Sequence, residues 1–151
     1  MRLRVMLDTN LLLLLVVGTY AVGHISVHKR TESFTADDYY ILLELLAGKE
    51  IVVTTGVLTE ASNLLWSGSR VQREALREIL RLFITENVEL LVDSIQACSS
   101  SEFGKLGLTD AGILVLEAQA GSILTADLDL HLAALARGLE SENFTHYRTL
   151  L

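Results

Sequence analysis

Val5-Met6-Leu7-Asp8-Thr9-Asn10-Leu11-Leu12 is the segment that decides how this chain folds. Its apolar start predicts a strand over residues 2–7 that stops at Asp8, and the leucine-rich run over residues 11–17 predicts a helix that follows at once. A strand that turns directly into an apolar helix is the opening of a βα unit. The pattern returns further along. Residues 51–54 are short, β-branched and apolar, residues 88–92 and 122–125 read as further strands, and stretches of helical period separate them. The alternation predicts an α/β domain with a mainly parallel central sheet.

Between these strands, Asp37 or Asp38 is expected to cap a helix that runs through Tyr40, Leu43 and Leu46 and stops at Gly48. The next helix carries Glu60 in its first turns. Ser67-Gly68-Ser69 divides it from a helix over residues 71–84, in which Val71, Ala75, Ile79 and Leu82 or Phe83 recur at helical spacing. Residues 23–34 read as a loop, and the serine- and glycine-rich residues 97–107 as a mobile connection. A helix containing Asp110, Leu114 and Ala118 should end at Gly121, and Asp127 should open another that ends at Gly138. Residues 143–145 could add a last strand.

With 151 residues, half of them hydrophobic, the chain is expected to form one domain over residues 1–151 with a single core. Cys98 stands alone and cannot close an intramolecular disulfide; Asp8 and Asn10 interrupt the first apolar run, so no signal peptide is read there. A reducing, cytoplasmic setting is the expectation. The leucine run is broken by Gly18, Tyr20, Gly23 and His24, short of the roughly 20 apolar residues a membrane span needs. The net charge of −7 argues against indiscriminate binding of nucleic acid. It does not argue against a nuclease, because bound cations would reverse the field at a cluster of carboxylates.

The placement of the acids carries the chemistry. Asp8 and Asp127 each fall at the carboxyl end of an expected strand, the edge where open α/β sheets hold their ligands. Glu60 and Asp110 each lie near the start of a helix, so a parallel arrangement can bring all four to one rim. Their charges would repel without cations. Hard oxygen donors suit Mg²⁺ or Mn²⁺, and the lack of a thiolate or histidine cluster argues against zinc. Paired cations about 3.5–4 Å apart are suited to hydrolysing a phosphodiester with no nucleophilic side chain.

These same residues resemble the PIN-domain family. The opening Val5-Met6-Leu7-Asp8-Thr9-Asn10-Leu11-Leu12 is similar to the family's first motif, with an aspartate ending the first strand and an asparagine two residues on. Leu58-Thr59-Glu60 resembles the second acidic position, Gly107-Leu108-Thr109-Asp110-Ala111 the third, and Ile123-Leu124-Thr125-Ala126-Asp127-Leu128-Asp129-Leu130 the fourth. Order and surrounding element types agree over residues 5–144. The resemblance implies a three-layer α/β/α fold and a Mg²⁺- or Mn²⁺-dependent endoribonuclease that leaves a 5′-phosphate and a 3′-hydroxyl. It also implies a role as the toxin neutralised by a small antitoxin protein, and a homodimer is expected. By this match Asp8, Asp110 and Asp127 are metal ligands, Glu60 completes the acidic pocket, and Asn10 and Thr125 orient the carboxylates. Asp129 would be an auxiliary acid.

Each feature also has a plainer reading. Asp8 and Asp127 fit helix caps, and Asp110 and Asp129 fit first-turn acids favoured by the helix dipole. Arg70, Arg73, Arg77 and Arg81 form a basic stripe that would meet RNA phosphates, or a solvated face paired with Glu74 and Glu78. His24, His28, His131 and His146 show no ligand spacing, and Trp66 and Tyr147 read as packing anchors. The leucine run would serve a dimer interface as well as a core. Rival functions are a PIN-like RNA-binding or scaffold module without turnover, and another Mg²⁺-dependent phosphohydrolase. Chemistry through an aspartyl phosphate would want a second aspartate where Asn10 stands.

Overall fold

A computed structural model describes residues 2–148. Strand β1 (Arg4–Leu7) passes into helix α1 (Thr9–Tyr20) through a single residue, Asp8, whose carboxylate accepts the Leu11 N–H at 2.9 Å and caps the helix. Helix α2 (Ala36–Leu46), strand β2 (Glu50–Thr54), helix α3 (Thr55–Leu64), helix α4 (Arg70–Glu86) and strand β3 (Val88–Leu90) follow. The second half runs through α5 (Ser94–Cys98), α6 (Phe103–Leu106), α7 (Leu108–Val115), β4 (Ser122–Thr125), α8 (Leu128–Ala136), β5 (Ser141–Asn143) and α9 (Phe144–Arg148).

All five strands are parallel, in the order β3-β2-β1-β4-β5. The chain therefore steps outward from β1 to β3, crosses back to β4, and steps outward again. Right-handed crossovers then put α1 to α4 on one face and α5 to α8 on the other, giving three layers. The packing agrees: α1 meets α2, α3 and α4, while α7 meets α5, α6 and α8.

Helix α1 is apolar all round because it has neighbours all round. Leu11, Leu12, Leu13, Leu14, Val16 and Val17 are fully buried, so the run belongs to the core and offers no face to a second chain. Gly18 lets α1 approach α2: a Cβ there would lie 2.1 Å from the Tyr39 ring. Gly121, at φ +68°, is similarly required, since a Cβ would lie 2.5 Å from the Arg4 carbonyl oxygen.

Several expected elements are corrected. Helix α2 is capped by Thr35, not by Asp37 or Asp38; Asp38 closes a reciprocal capping box onto the Thr35 N–H at 2.8 Å. On α4 the buried stripe is Leu76, Leu80 and Phe83, so of the expected positions Phe83 is buried while Val71 and Leu82 are left in solvent, on the side turned away from α1. Residues 97–107 are no loose connection: Asp93 caps α5, the Ser99 and Ser100 hydroxyls donate to the Ile95 and Ala97 carbonyls, and Glu102 receives Arg137 at 2.6 and 2.9 Å. The helix holding Asp110 ends at Val115, since Glu117 at φ +52° breaks it into a 3₁₀ turn over Glu117–Ala120. The last strand lies at Ser141–Asn143, earlier than residues 143–145, and Phe144 already begins α9. The loop after α1 starts with a 3₁₀ turn, Val22–His24, and is pinned by buried Ile25, His28, Thr31 and Phe34. Among the described residues no helix is long and apolar enough to cross a membrane.

Candidate active site

The strand order places a crevice between β1 and β4, where successive connections leave the sheet in opposite directions. Leu7 pairs with Leu124 in the register, so the residues just beyond, Asp8 and Thr125, stand side by side. The Thr125 hydroxyl donates to Asp8 Oδ2 in a short hydrogen bond and accepts the Asp127 N–H at 2.9 Å. One hydroxyl thus ties the carboxylate after β1 to the backbone that presents the carboxylate after β4. The Ala126 N–H adds a further donor to Asp8 at 3.3 Å. Asp127 caps α8 through the Asp129 and Leu130 N–H groups at 2.8 and 3.3 Å.

Glu60 projects from α3, which starts as soon as β2 ends and is capped by the Thr54 hydroxyl on the Val57 N–H. Its Oε2 accepts the Thr109 hydroxyl at 2.9 Å, bridging α3 to the first turn of α7, where Asp110 is the next residue. Thr109 had no role in the sequence reading, although it lies inside the quoted motif; a hydroxyl beside an acid was the available signal.

The electrostatics tie the four acids together. Asp110 is pushed up to about 7, first by burial and then by the charges of Asp127, Asp8 and Glu60. Asp8 is pushed up to about 6 by burial, against the lowering pull of its bonds from Thr125, Leu11 and Ala126, with Asp127 adding repulsion. Asp127, Asp8 and Glu60 all lie within electrostatic reach of Asp110, and every influence on Asp110 disfavours its ionised form. They are not gathered on a common point: among the described residues no three His, Cys, Asp or Glu side chains form a ready ligand group. The donor chemistry nonetheless fits a hard divalent cation, because oxygens that repel one another are those a cation would draw in.

The other singled-out residues lie as follows. Asn10 is exposed in the first turn of α1. Asp129, in the first turn of α8, faces Lys105 at 3.7 Å. Arg70 pairs with Glu74 at 2.9 Å and Arg81 with Glu78 at 3.2 Å, while the Arg73 and Arg77 guanidinium groups lie 4.3 and 3.9 Å from the Trp66 ring centre. Trp66 is half exposed and acts as a platform for those arginines, so it is not a packing anchor in the core. Tyr147 is partly buried and donates to Glu142 at 2.8 Å. His24 and His28 meet edge to face at 5.8 Å, and His131 Nδ1 shares a 2.7 Å hydrogen bond with the Ser141 hydroxyl.

A chain in the crystal structure of VapBC2 from Rickettsia felis, bound to a DNA fragment from their promoter, superposes with a TM-score of 0.51. The match covers 93% of this chain and 98% of that one at 20% identity. This chain has a PIN-like fold. A domain of a functionally unknown protein from Methanocaldococcus jannaschii DSM 2661 matches the PIN-like chain at 18% identity, covering 93% of it and 90% of that domain, with a TM-score of 0.49. No family model and no curated protein matches the sequence.

Proposed function

We propose that this PIN-like chain is a divalent-metal-dependent endoribonuclease acting on RNA as the toxin of a toxin–antitoxin pair. The observation that carries the reading is the pairing of Asp8 and Asp127 at the carboxyl edge of β1 and β4, tied together by the Thr125 hydroxyl, with Asp110 close enough for Asp127, Asp8 and Glu60 to disfavour its ionised form. Carboxylates that repel one another at a sheet's ligand edge are the groups a bound cation would stabilise.

Asp8, Asp110 and Asp127 would hold Mg²⁺ or Mn²⁺, and Glu60 would complete the acidic pocket. When bound, the cations would lower the pKa of an attacking water and neutralise charge on the phosphodiester oxygens. The protein's own part is positioning. Thr125 fixes the rotamer of Asp8 and the backbone of Asp127 together, Thr109 holds Glu60, and the burial of Asp8 keeps bulk water from competing for its oxygens. Asn10 is assigned an orienting role beside Asp8, and Asp129 an auxiliary one. Arg70, Arg73, Arg77 and Arg81 are assigned to their own pairs and stack, not to RNA phosphates.

The partners proposed are a small cytoplasmic antitoxin and a second copy of the chain. Leu128, Leu132 and Leu135 form an exposed apolar stripe along α8, about half accessible at each position, which supports a protein-covered face. The alternative reading is a PIN-like RNA-binding or scaffold module without turnover. Cleavage of a defined RNA separates the two. The nuclease reading expects cutting in Mg²⁺ or Mn²⁺, none in EDTA, and none by Asp8→Asn or Asp127→Asn protein. Equal cleavage by the parent and Asp8→Asn would defeat it.

A further inference from the structure

A cavity of about 570 Å³ opens beside the acidic rim, between the start of α3, the end of β3 and the first turn of α7. Glu60 belongs to both: it lines the cavity and acts electrostatically on Asp110. Apart from Glu60 the lining is uncharged and contains no lysine, arginine or histidine. Its uncharged polar side chains are the hydroxyls of Thr54, Thr55, Thr59, Ser94 and Thr109 and the amide of Asn63. Leu91, Val92 and Leu108 supply apolar wall, and Leu91 and Leu108 are exposed on a rim where large apolar side chains have no structural reason to face water.

That lining selects among the parts of an RNA strand. A phosphate carries charge and wants cations, which this hollow lacks. A base is flat, uncharged and edged with donors and acceptors, and it is recognised by hydroxyl and amide groups when it is splayed out of a single strand against apolar or aromatic walls. The volume is in the range of pockets that hold small organic ligands. We propose that this cavity is a nucleobase subsite that reads one nucleotide next to the scissile phosphate, making the substrate single-stranded RNA with a base preference at that position. The inference rests on the nuclease reading, since the rim must hold the neighbouring phosphate.

Two residues give access to the test without touching the acids. A Cβ at Gly56 would meet the Thr54 and Thr109 side chains at 3.7–3.8 Å, ordinary contact, so Gly56→Ala puts a methyl group into the hollow without forcing the helix apart. Asn63→Ala removes the amide. An RNA with a randomised single-stranded segment is cleaved in Mn²⁺ by the parent and by each variant, and the cut ends are sequenced. The parent is expected to prefer particular bases at one position flanking the cut, and both variants to reduce that preference at least fivefold there, with the other positions unchanged.

Binding gives a second readout. Anisotropy of labelled RNA hexamers differing only at that base, measured on Asp127→Asn protein in Ca²⁺, should show the same loss of discrimination when Gly56→Ala is added. A parent that cleaves RNA with a profile neither variant alters removes the base subsite and leaves the nuclease standing. The same unaltered profile with weakened binding of an antitoxin assigns the hollow to that protein and also overturns the proposal. A parent inert toward every RNA in the pool overturns both readings together.

Discussion

Replacing Asp110 by asparagine should make the metal-free protein more stable at pH 8, an unusual outcome for a substitution at a site residue. Asp110 stands near 7 in the fold against an ordinary carboxyl value of 3.8. A raised carboxyl favours the protonated native state, so at pH 4 the group contributes nothing. Between about pH 4 and pH 7 the unfolded chain releases its proton first, and the native state loses stability as pH rises; above pH 7 the full penalty is in place. Three units correspond to about 4 kcal/mol, which the partial solvent access of this carboxyl reduces to about 2 kcal/mol. Losing a first-turn charge on α7 returns only a few tenths of a kcal/mol in the other direction. For a chain of 151 residues, about 2 kcal/mol moves Tm by roughly 4–8 °C. Melting curves in EDTA at pH 5 and pH 8, parent against Asp110→Asn, measure it. The variant should melt higher at pH 8, and by about a third of that margin at pH 5. With Mn²⁺ the order should reverse, because a ligand that binds only the native parent raises its stability by mass action. A variant that melts no higher than the parent at pH 8 in EDTA would refute the electrostatic account.

Thr125→Val removes the donor to Asp8 and the acceptor for the Asp127 N–H in a fully buried position. It should cost about 1–3 kcal/mol, read as a lower Tm, and shrink the Tm gain on adding Mn²⁺; an unchanged Mn²⁺ response would free Thr125 from the site. Leu132→Glu, in the middle of the exposed α8 stripe, should leave Tm within about 1 °C while light scattering shows loss of any dimer the parent forms. A dimer that survives intact places the contact elsewhere. Trp66→Ala should cost about 1 kcal/mol through lost stacking with Arg73 and Arg77, and Arg77→Ala should leave the salt dependence of RNA binding unchanged. A shallower salt slope in Arg77→Ala protein would return the stripe to the RNA interface.

Strands β1, β2 and β4 were legible because each is a short β-branched or leucine-rich run that ends at an acid, a threonine or a turn; β5, Ser141-Glu142-Asn143, has no such composition and was expected two residues late. The positions of Asp8 and Asp127 at strand ends were legible for the same reason. What sequence could not supply was the strand order. That order sets Asp8 beside Thr125 and so gives the threonine two partners, 117 and 2 residues away. The outer face of α4 was misjudged because two apolar stripes share one helix, and only the contact with α1 decides which is covered. The serine-rich segment looked loose because serines favour loops on average; here their hydroxyls close short helices.

The junctions that carry Asp8 and Asp127 are one and two residues long, between Leu7 and Thr9 and between Thr125 and Leu128. Neither has slack to absorb an inserted residue: an addition would rotate the acid off the edge and uncap the helix in the same event. A grafted peptide is therefore better placed in remoter turns such as Ser67-Gly68-Ser69, where lengthening the chain moves no carboxylate.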